Sequence, residues 1–321
     1  MKVLVTGGTS LLGRGVAESL HERGDEVTVF QRHPSGLDLA EQLGDVADRA
    51  AVTAAVAGAD AVVHLAARVG VTGPWSAFER TNIDGTRAVV EAAARAGVGR
   101  LVFVSSPSVA HAGSSLVGAD AGRADPQATR GYYATSKAAA ELIALGAAAD
   151  EFAVMAIRPH LVWGPGDTQL VGRIVDRARQ GRLAIVGTGA ALIDTTYIDN
   201  AVDAIVAAVD RVPQLAGRAL VVSNGQPRTV RELLSRIVTA AGLPPPQFRV
   251  PATAAKAGGR VVEEVWERRG LETDPPMTSF LAEQLATAHW FDQRETRRAL
   301  GWTPAVTLED GFTRLTEWFA A

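Results

Sequence analysis

The chain has 321 residues, of which 47% are hydrophobic and 21% charged, and it carries a net charge of −3. That composition supports a buried core and argues against disorder, and basic residues dispersed along the chain give no electrostatic reason to expect a nucleic-acid partner. Cysteine is absent, which excludes disulfides, thiolate catalysis and thiolate metal ligation and fits a cytoplasmic protein.

Met1-Lys2-Val3-Leu4-Val5-Thr6 runs into a glycine turn after too few apolar residues for a signal peptide. No segment approaches the ~18 uninterrupted apolar residues of a membrane span. Short β-branched runs then alternate with longer alanine-rich periodic segments. The pattern predicts strands at 2–6, 26–30, 60–65, 100–105 and 152–158, and helices at 11–23, 48–57, 75–97 and 129–148. Strands such as Val27-Thr28-Val29-Phe30 and Leu101-Val102-Phe103-Val104 are almost continuously apolar, as in a parallel sheet covered on both faces. The expected class is α/β with a doubly wound parallel sheet.

After Pro159 the rhythm changes. Gly164-Pro165-Gly166 breaks the chain, a helix is expected at 168–181, and a helix at 199–210 with a strand at 218–222 should return to the main sheet. Pro244-Pro245-Pro246 marks a linker, and 252–290 reads as a helical insertion. The expected division is a dinucleotide-binding domain over 1–165, joined again by 195–224, with a smaller lobe for substrate from 166–194 and 225–321.

Thr6-Gly7-Gly8-Thr9-Ser10-Leu11-Leu12-Gly13 follows the first strand and opens the first helix, where a phosphate-cradling turn belongs. Glycine lets the backbone approach a pyrophosphate, and the helix N-terminus supplies free amides. Ser10 stands where the usual pattern has its middle glycine, and is small enough to donate to a phosphate itself. At the end of the second strand, Phe30-Gln31-Arg32 lacks the carboxylate that would hold the ribose hydroxyls of NAD. Arg32 reads as a fork for the 2′-phosphate of NADP, supported by Arg14, or as an exposed surface arginine. Asp45-Val46 suits an adenine edge or is an ordinary turn.

Tyr133-Ala134-Thr135-Ser136-Lys137 places a phenol and an ammonium one helical turn apart. A cation beside a phenol favours its ionised form, which suits proton transfer. With the glycine turn, Asp45-Val46, His64-Leu65-Ala66-Ala67, Asn82 and Ser105-Ser106, the chain resembles the extended short-chain dehydrogenases/reductases over nearly all its length. Arg158-Pro159-His160-Leu161-Val162-Trp163-Gly164-Pro165-Gly166-Asp167 and Asp194-Thr195-Thr196-Tyr197-Ile198-Asp199-Asn200 look like their 3β-hydroxysteroid dehydrogenase branch. Pro107-Ser108-Val109, Ser223-Asn224-Gly225 and Phe280-Leu281-Ala282-Glu283-Gln284-Leu285 are similar to the 2-alkyl-3-oxoalkanoate reductases of bacterial long-chain olefin and β-lactone biosynthesis.

The resemblance implies a Rossmann fold holding NADPH, with Gly7, Thr9, Ser10, Leu11, Leu12, Gly13, Gln31, Arg32, Asp45, Val46, Leu65, Ala66, Ala67, Pro159 and His160 at the cofactor. It implies Tyr133 as general acid, Lys137 on the nicotinamide ribose and holding the Tyr133 pKa low, and Ser106 on the substrate carbonyl. Ser105 competes for that last place, but the register of Pro107-Ser108-Val109 favours Ser106. Asn82 would support the active-site helix and proton relay. It further implies a homodimer through the helices at 75–97 and 129–148, and association with a β-lactone synthetase.

A β-keto acid needs a group to meet its carboxylate, and Arg68, after the Ala66-Ala67 turn, reads as a carboxylate or phosphate contact or as a solvated surface arginine. Ser108 and Trp163 are expected at the substrate too. His160 suits either the nicotinamide amide or a packed position. Val261-Val262-Glu263-Glu264-Val265-Trp266 with Met277, Phe280 and Leu281 reads as core or as a trough for alkyl chains. No metal ligand set is expected. A 3β-hydroxysteroid or sterol dehydrogenase would use the same site chemistry. A nucleotide-sugar epimerase or dehydratase would want an acidic residue in place of Gln31, and a non-catalytic NADP sensor would have no use for the Tyr133–Lys137 pair.

Overall fold

The computed structural model describes residues 1–321 apart from 71, 111–112, 270–274 and 276. The first strand, β1 (Lys2–Thr6), is buried over Val3–Thr6 and turns at Gly7 into helix α1 (Leu11–Glu22). Ser10 caps that helix, and Val16, Ala17 and Leu20 form the face it buries. Each such side chain taken out of water contributes roughly 1.5–3 kcal/mol when large. The alternation continues through β2 (Glu26–Gln31), β3 (Ala40–Leu43), α2 (Arg49–Val56), β4 (Ala61–His64), α3 (Trp75–Phe78), α4 (Gly85–Arg95), β5 (Arg100–Val104), β6 (Leu116–Ala119), α5 (Tyr132–Gly146) and β7 (Ala153–Pro159).

Short strands β8 (Val162–Trp163), β9 (Ile185–Val186), β10 (Leu192–Ile193) and β11 (Thr196–Tyr197) follow, with α6 (Val171–Arg179) among them; next come α7 (Ile198–Arg211) and β12 (Ala219–Val222). The remainder is β13 (Arg228–Thr229), α8 (Val230–Ala240), β14 (Arg249–Val250), α9 (Ala252–Arg269), α10 (Ser279–Ala286), β15 (His289–Phe291), α11 (Arg294–Leu300) and α12 (Leu308–Ala320). The main sheet has seven parallel strands in the order β12-β7-β5-β4-β1-β2-β3. Its direction of winding reverses between β1 and β4, the crevice where ligands of such sheets gather. The fold is therefore the doubly wound, Rossmann-like α/β architecture.

Two elements differ from expectation. β3 was not anticipated, because Ala40-Glu41-Gln42-Leu43 is a largely exposed edge strand with no apolar run. The helix expected at 75–97 is broken by a π-turn over Glu79–Asp84. Such a turn inserts an extra residue into the helix and rotates the side chains that follow. A second, four-stranded sheet in the order β13-β10-β15-β6 joins a strand from before α5 to strands near the C-terminus. The helical insertion expected at 252–290 is two helices, α9 and α10, followed by β15; the stretch 270–274 between the helices lies outside the described residues.

Candidate active site

The C-terminal edge of the sheet opens into a cavity of about 1230 Å³ that runs from the glycine turn to α9 and α10. At one end the backbone is drawn tight. Gly7 has φ +84°, and a Cβ there would lie 2.9 Å from the Ala66 nitrogen; one on Gly13 would lie 2.2 Å from the Gly7 oxygen. Only glycine fits either position. The Ser10 hydroxyl accepts from the Gly13 N–H at 3.0 Å and donates to the Gly7 oxygen at 2.9 Å. Ser10 thus closes the turn, and its proton is already committed, contrary to the expectation that it would donate to a phosphate.

Thr9, Ser10, Leu11, Leu12, Gln31, Arg32, Asp45, Val46, Leu65, Ala66 and Ala67 line this end. The Gln31 amide nitrogen donates to Glu41 Oε1 at 2.7 Å, which points Gln31 Oε1 the other way; that oxygen is buried without a partner. A polar cradle with a tight turn, an open helix N-terminus and an unspent acceptor fits a dinucleotide. Arg14 is elsewhere: it donates to the Ser35 oxygen and lines a separate surface groove, so it braces the loop after β2. The Asp45 carboxylate accepts from Arg80 at 2.9 Å and from the Ala47 N–H at 3.0 Å.

In the middle of the cavity, Ser105 and Ser106 follow β5, and Tyr133 and Lys137 project from α5. The Tyr133 phenol lies within hydrogen-bonding reach of Ser106; burial pushes its pKa up, and Ser106 pulls in the opposite direction. Ser106 Oγ is 2.9 Å from Ser108 Oγ, forming a short hydroxyl chain on the cavity wall. Ser105 Oγ is buried and without a partner. Lys137 Nζ does not reach Tyr133 as a donor. It gives a 2.7 Å hydrogen bond to the Val104 oxygen and sits 4.0 Å over the Phe103 ring.

Burial lowers the Lys137 pKa to about 7, with the charge of Glu141 opposing the shift. The unfolded chain keeps that proton to about 10.4. Between these limits the unfolded state binds more protons, so this lysine adds stability as pH rises. Comparing urea unfolding of the wild type with Lys137→Met should show their difference growing by up to about 1.4 kcal/mol per pH unit above neutrality. A constant difference would place the lysine proton elsewhere.

Beneath the site, His64 bridges β1 and α4 through Thr6 Oγ1 at 2.7 Å and Thr86 Oγ1 at 3.1 Å. Burial first and Lys137 second bring its pKa down to about 3, so it stays neutral. The π-turn aims Asn82 inward: its Oδ1 accepts from the Arg68 N–H at 2.7 Å, and its Nδ2 donates to the Arg68 oxygen at 3.1 Å and to Ser136 Oγ at 2.9 Å. Asn82 therefore ties the loop after β4 to α5 without touching the cavity.

Two residues expected at the substrate lie outside the cavity wall. The Arg68 guanidinium packs over the Phe78 ring at 5.1 Å and donates to the Thr72 oxygen at 3.4 Å. Trp163 is 1% exposed, stacked on Phe312 at 4.6 Å, edge-on to Tyr197, and donates to Thr195 Oγ1 at 3.0 Å. The large apolar ring is better satisfied in that aromatic cluster than at a surface meant for ligand. Ser108, Pro159 and His160 do line the cavity, and its far chamber is walled by Leu116, Trp266, Phe280, Leu281, Leu285 and Phe291. Of the segment expected as trough or core, Val261 is exposed and Met277 packs in a small cluster with Val186, Ala255 and Ala282.

Two features were not anticipated. Arg158 is fully buried and forks onto Glu141, through Nε to Oε2 at 2.9 Å and Nη2 to Oε1 at 2.5 Å, and its Nη1 donates to the Ala121 and Gly122 oxygens. An arginine inside the apolar run of β7 was the available signal. His289, on β15, meets His160 directly, with Nδ1 3.1 Å from His160 Nε2; nothing local in the sequence marks that pairing.

The family model described as NAD dependent epimerase/dehydratase matches residues 3–223. A 2-alkyl-3-oxoalkanoate reductase of Stenotrophomonas maltophilia is 42% identical over 98% of both chains. A decarboxylating sterol-4-alpha-carboxylate 3-dehydrogenase of Homo sapiens is 29% identical over 98% of this chain and 87% of that one. Among solved structures, MoeE5 in complex with UDP-glucose and NAD superimposes with a TM-score of 0.76 at 26% identity, over 100% of this chain and 99% of that one. No described helix is long and apolar enough to cross a membrane.

Proposed function

The chain belongs to the NAD dependent epimerase/dehydratase family, the extended short-chain dehydrogenases/reductases, and is an NAD(P)-dependent oxidoreductase; from that premise we propose that it reduces the 3-keto group of a 2-alkyl-3-oxoalkanoate with NADPH. The observation that carries this reading is a single cavity joining the glycine turn, the Tyr133–Ser106 pair and an apolar chamber large enough for alkyl chains. The relatives' names support it. A 2-alkyl-3-oxoalkanoate and a sterol 4-carboxylate handled at C3 both put the reacting carbon next to one that bears a carboxylate.

The bound nicotinamide supplies the hydride. Tyr133 gives its proton to the carbonyl oxygen, and its raised pKa keeps that proton in place at neutral pH until the oxygen becomes basic. Ser106 donates to the same oxygen and is held by Ser108. Lys137, anchored on Val104, would hold the nicotinamide ribose. Asn82 positions α5 through Ser136.

Gln31 and Arg32 support NADPH over NADH. A neutral amide at Gln31 does not repel a 2′-phosphate, and the exposed Arg32 can fork onto it. Arg32→Ala should raise the KM for NADPH about tenfold or more and leave that for NADH nearly unchanged, since a charge-assisted contact contributes roughly 1.5–3 kcal/mol. Equal effects on both cofactors would assign Arg32 to the surface. The reading as a whole is tested by following NADP+ reduction with a 2-alkyl-3-hydroxy acid, the stable partner of the keto acid. Turnover of steroid alcohols with none of this acid would replace it by the sterol reading, which the same apolar chamber favours.

A further inference from the structure

We propose that Arg130 is the carboxylate contact of this cavity, taking the acid group of the substrate on the edge of its guanidinium that Glu283 leaves open. The proposal rests on the β-oxo acid reading above and names the group that recognises the acid. Arg130 lies in the loop that feeds α5, three residues before Tyr133, and both line the cavity. The carboxylate of a 2-alkyl-3-oxo acid sits on the carbon next to the reacting carbonyl, so its partner has to come from chain close to that phenol.

The guanidinium is held at one corner and unspent at the others. Arg130 Nη1 donates to Glu283 Oε2 at 2.5 Å, and its Nε and Nη2 donate to no group among the described residues. Those two nitrogens form the side edge of the fork, which matches both oxygens of a carboxylate. The side chain is 51% exposed, so the open edge meets a ligand without first leaving a buried position. Gly113 packs against the pair: at φ +83°, a Cβ there would lie 3.0 Å from Arg130 Cζ and 3.1 Å from Glu283 Oε2. Glycine at that position lets the backbone close on the ion pair and helps to fix it.

Charge is left over at this point. Glu283 Oε1 takes Lys256 Nζ at 3.0 Å while Oε2 takes Arg130, so one carboxylate stands between two cations and the trio keeps a single positive charge. Burial of Glu283 pushes its pKa up, but Lys256 and Arg130 outweigh that and hold the carboxyl below its usual range. The other cations of the wall are engaged or belong to the far end. Lys137 donates to Val104, Arg173 to Gln169, His160 and His289 bind one another, and Arg32 and His33 stand with Gln31 by the glycine turn. Glu263, the carboxylate of α9 on the same wall, accepts from Ser279 at the start of α10. Helix α10 also carries Phe280, Leu281 and Leu285 of the apolar chamber, so one element sets the Glu283–Arg130 pair beside the place for alkyl chains. That arrangement suits a carboxylate whose own carbon bears an alkyl branch.

The test compares a 2-alkyl-3-hydroxy acid with its methyl ester, both oxidised with NADP+. In Arg130→Met the KM of the acid should rise about tenfold or more, the usual worth of a charge-assisted contact, while the KM values of the ester and NADP+ change less than about twofold. A second readout uses the wild-type enzyme with NADPH bound, where the hydroxy acid cannot turn over. There the acid should protect Arg130 from modification by phenylglyoxal, followed by peptide mass spectrometry, and the ester should not, whatever the stability of the variant. Equal effects of the variant on acid and ester, or protection by the acid no greater than by the ester, overturn the subsite alone. Wild-type turnover of the ester with none of the acid overturns the subsite and the β-oxo acid reading together.

Discussion

Replacing Tyr133 by phenylalanine should lower turnover by about 10²–10⁴-fold, the usual worth of a positioned general acid, while NADP(H) affinity stays within about twofold. The variant keeps the ring and loses only the oxygen, so the α5 packing around Ala134 and Ala138 should be preserved. The size of the effect follows from the surroundings. Burial holds the phenol in its protonated form, and Ser106 is the hydrogen-bonding neighbour that orients it. No described side chain on the cavity wall stands ready to replace it, because the Lys137 ammonium is turned onto the Val104 oxygen. Stopped-flow measurement of hydride transfer, with cofactor binding followed by fluorescence, separates the two effects. Retention of more than a few per cent of the rate would mean that another group delivers the proton.

The pair on α5 was legible because helical periodicity puts residues four apart on one face. What periodicity could not convey is where the ammonium points. The expectation that Lys137 holds the Tyr133 pKa low came from proximity in sequence; the fold instead buries both groups, raising the phenol and lowering the amine. The glycine turn was legible for a similar reason, since an apolar run ending at Gly7 and a capped helix opening at Leu11 are local signals. Ser10 was misread because its hydroxyl has a partner three residues away in each direction, and a short polar side chain satisfies the nearest backbone group first.

Errors grow where partners are distant in the chain. Trp163 sits beside a motif at the ligand edge, yet its contacts come from Phe312 and Tyr197. The His160–His289 contact spans 129 positions and depends on β15 pairing with β10 and β6. Asn82 was assigned a supporting part from resemblance, and the π-turn that aims it at Arg68 and Ser136 has no signature in composition or spacing.

Glu141→Leu should destabilise the protein by about 3–5 kcal/mol, because it leaves the guanidinium of Arg158 buried without its counter-ion. Both side chains are at most 1% exposed, so solvent cannot take the place of the lost partner. Against a total stability of about 5–15 kcal/mol this is a large fraction, readable as a fall in urea midpoint. The double variant Glu141→Leu, Arg158→Met removes both charges and should recover most of that loss, as apolar replacements of buried pairs often do. Activity should not recover with it. The pair does two things that leucine and methionine cannot: Arg158 holds the Ala121 and Gly122 oxygens of the loop leading to α5, and Glu141 supports the charge on Lys137 one turn away. A double variant that is stable but slow, with its rate restored at lower pH as Lys137 regains its proton, would assign the pair to positioning α5 and Lys137. Recovery of stability and rate together would reduce it to packing.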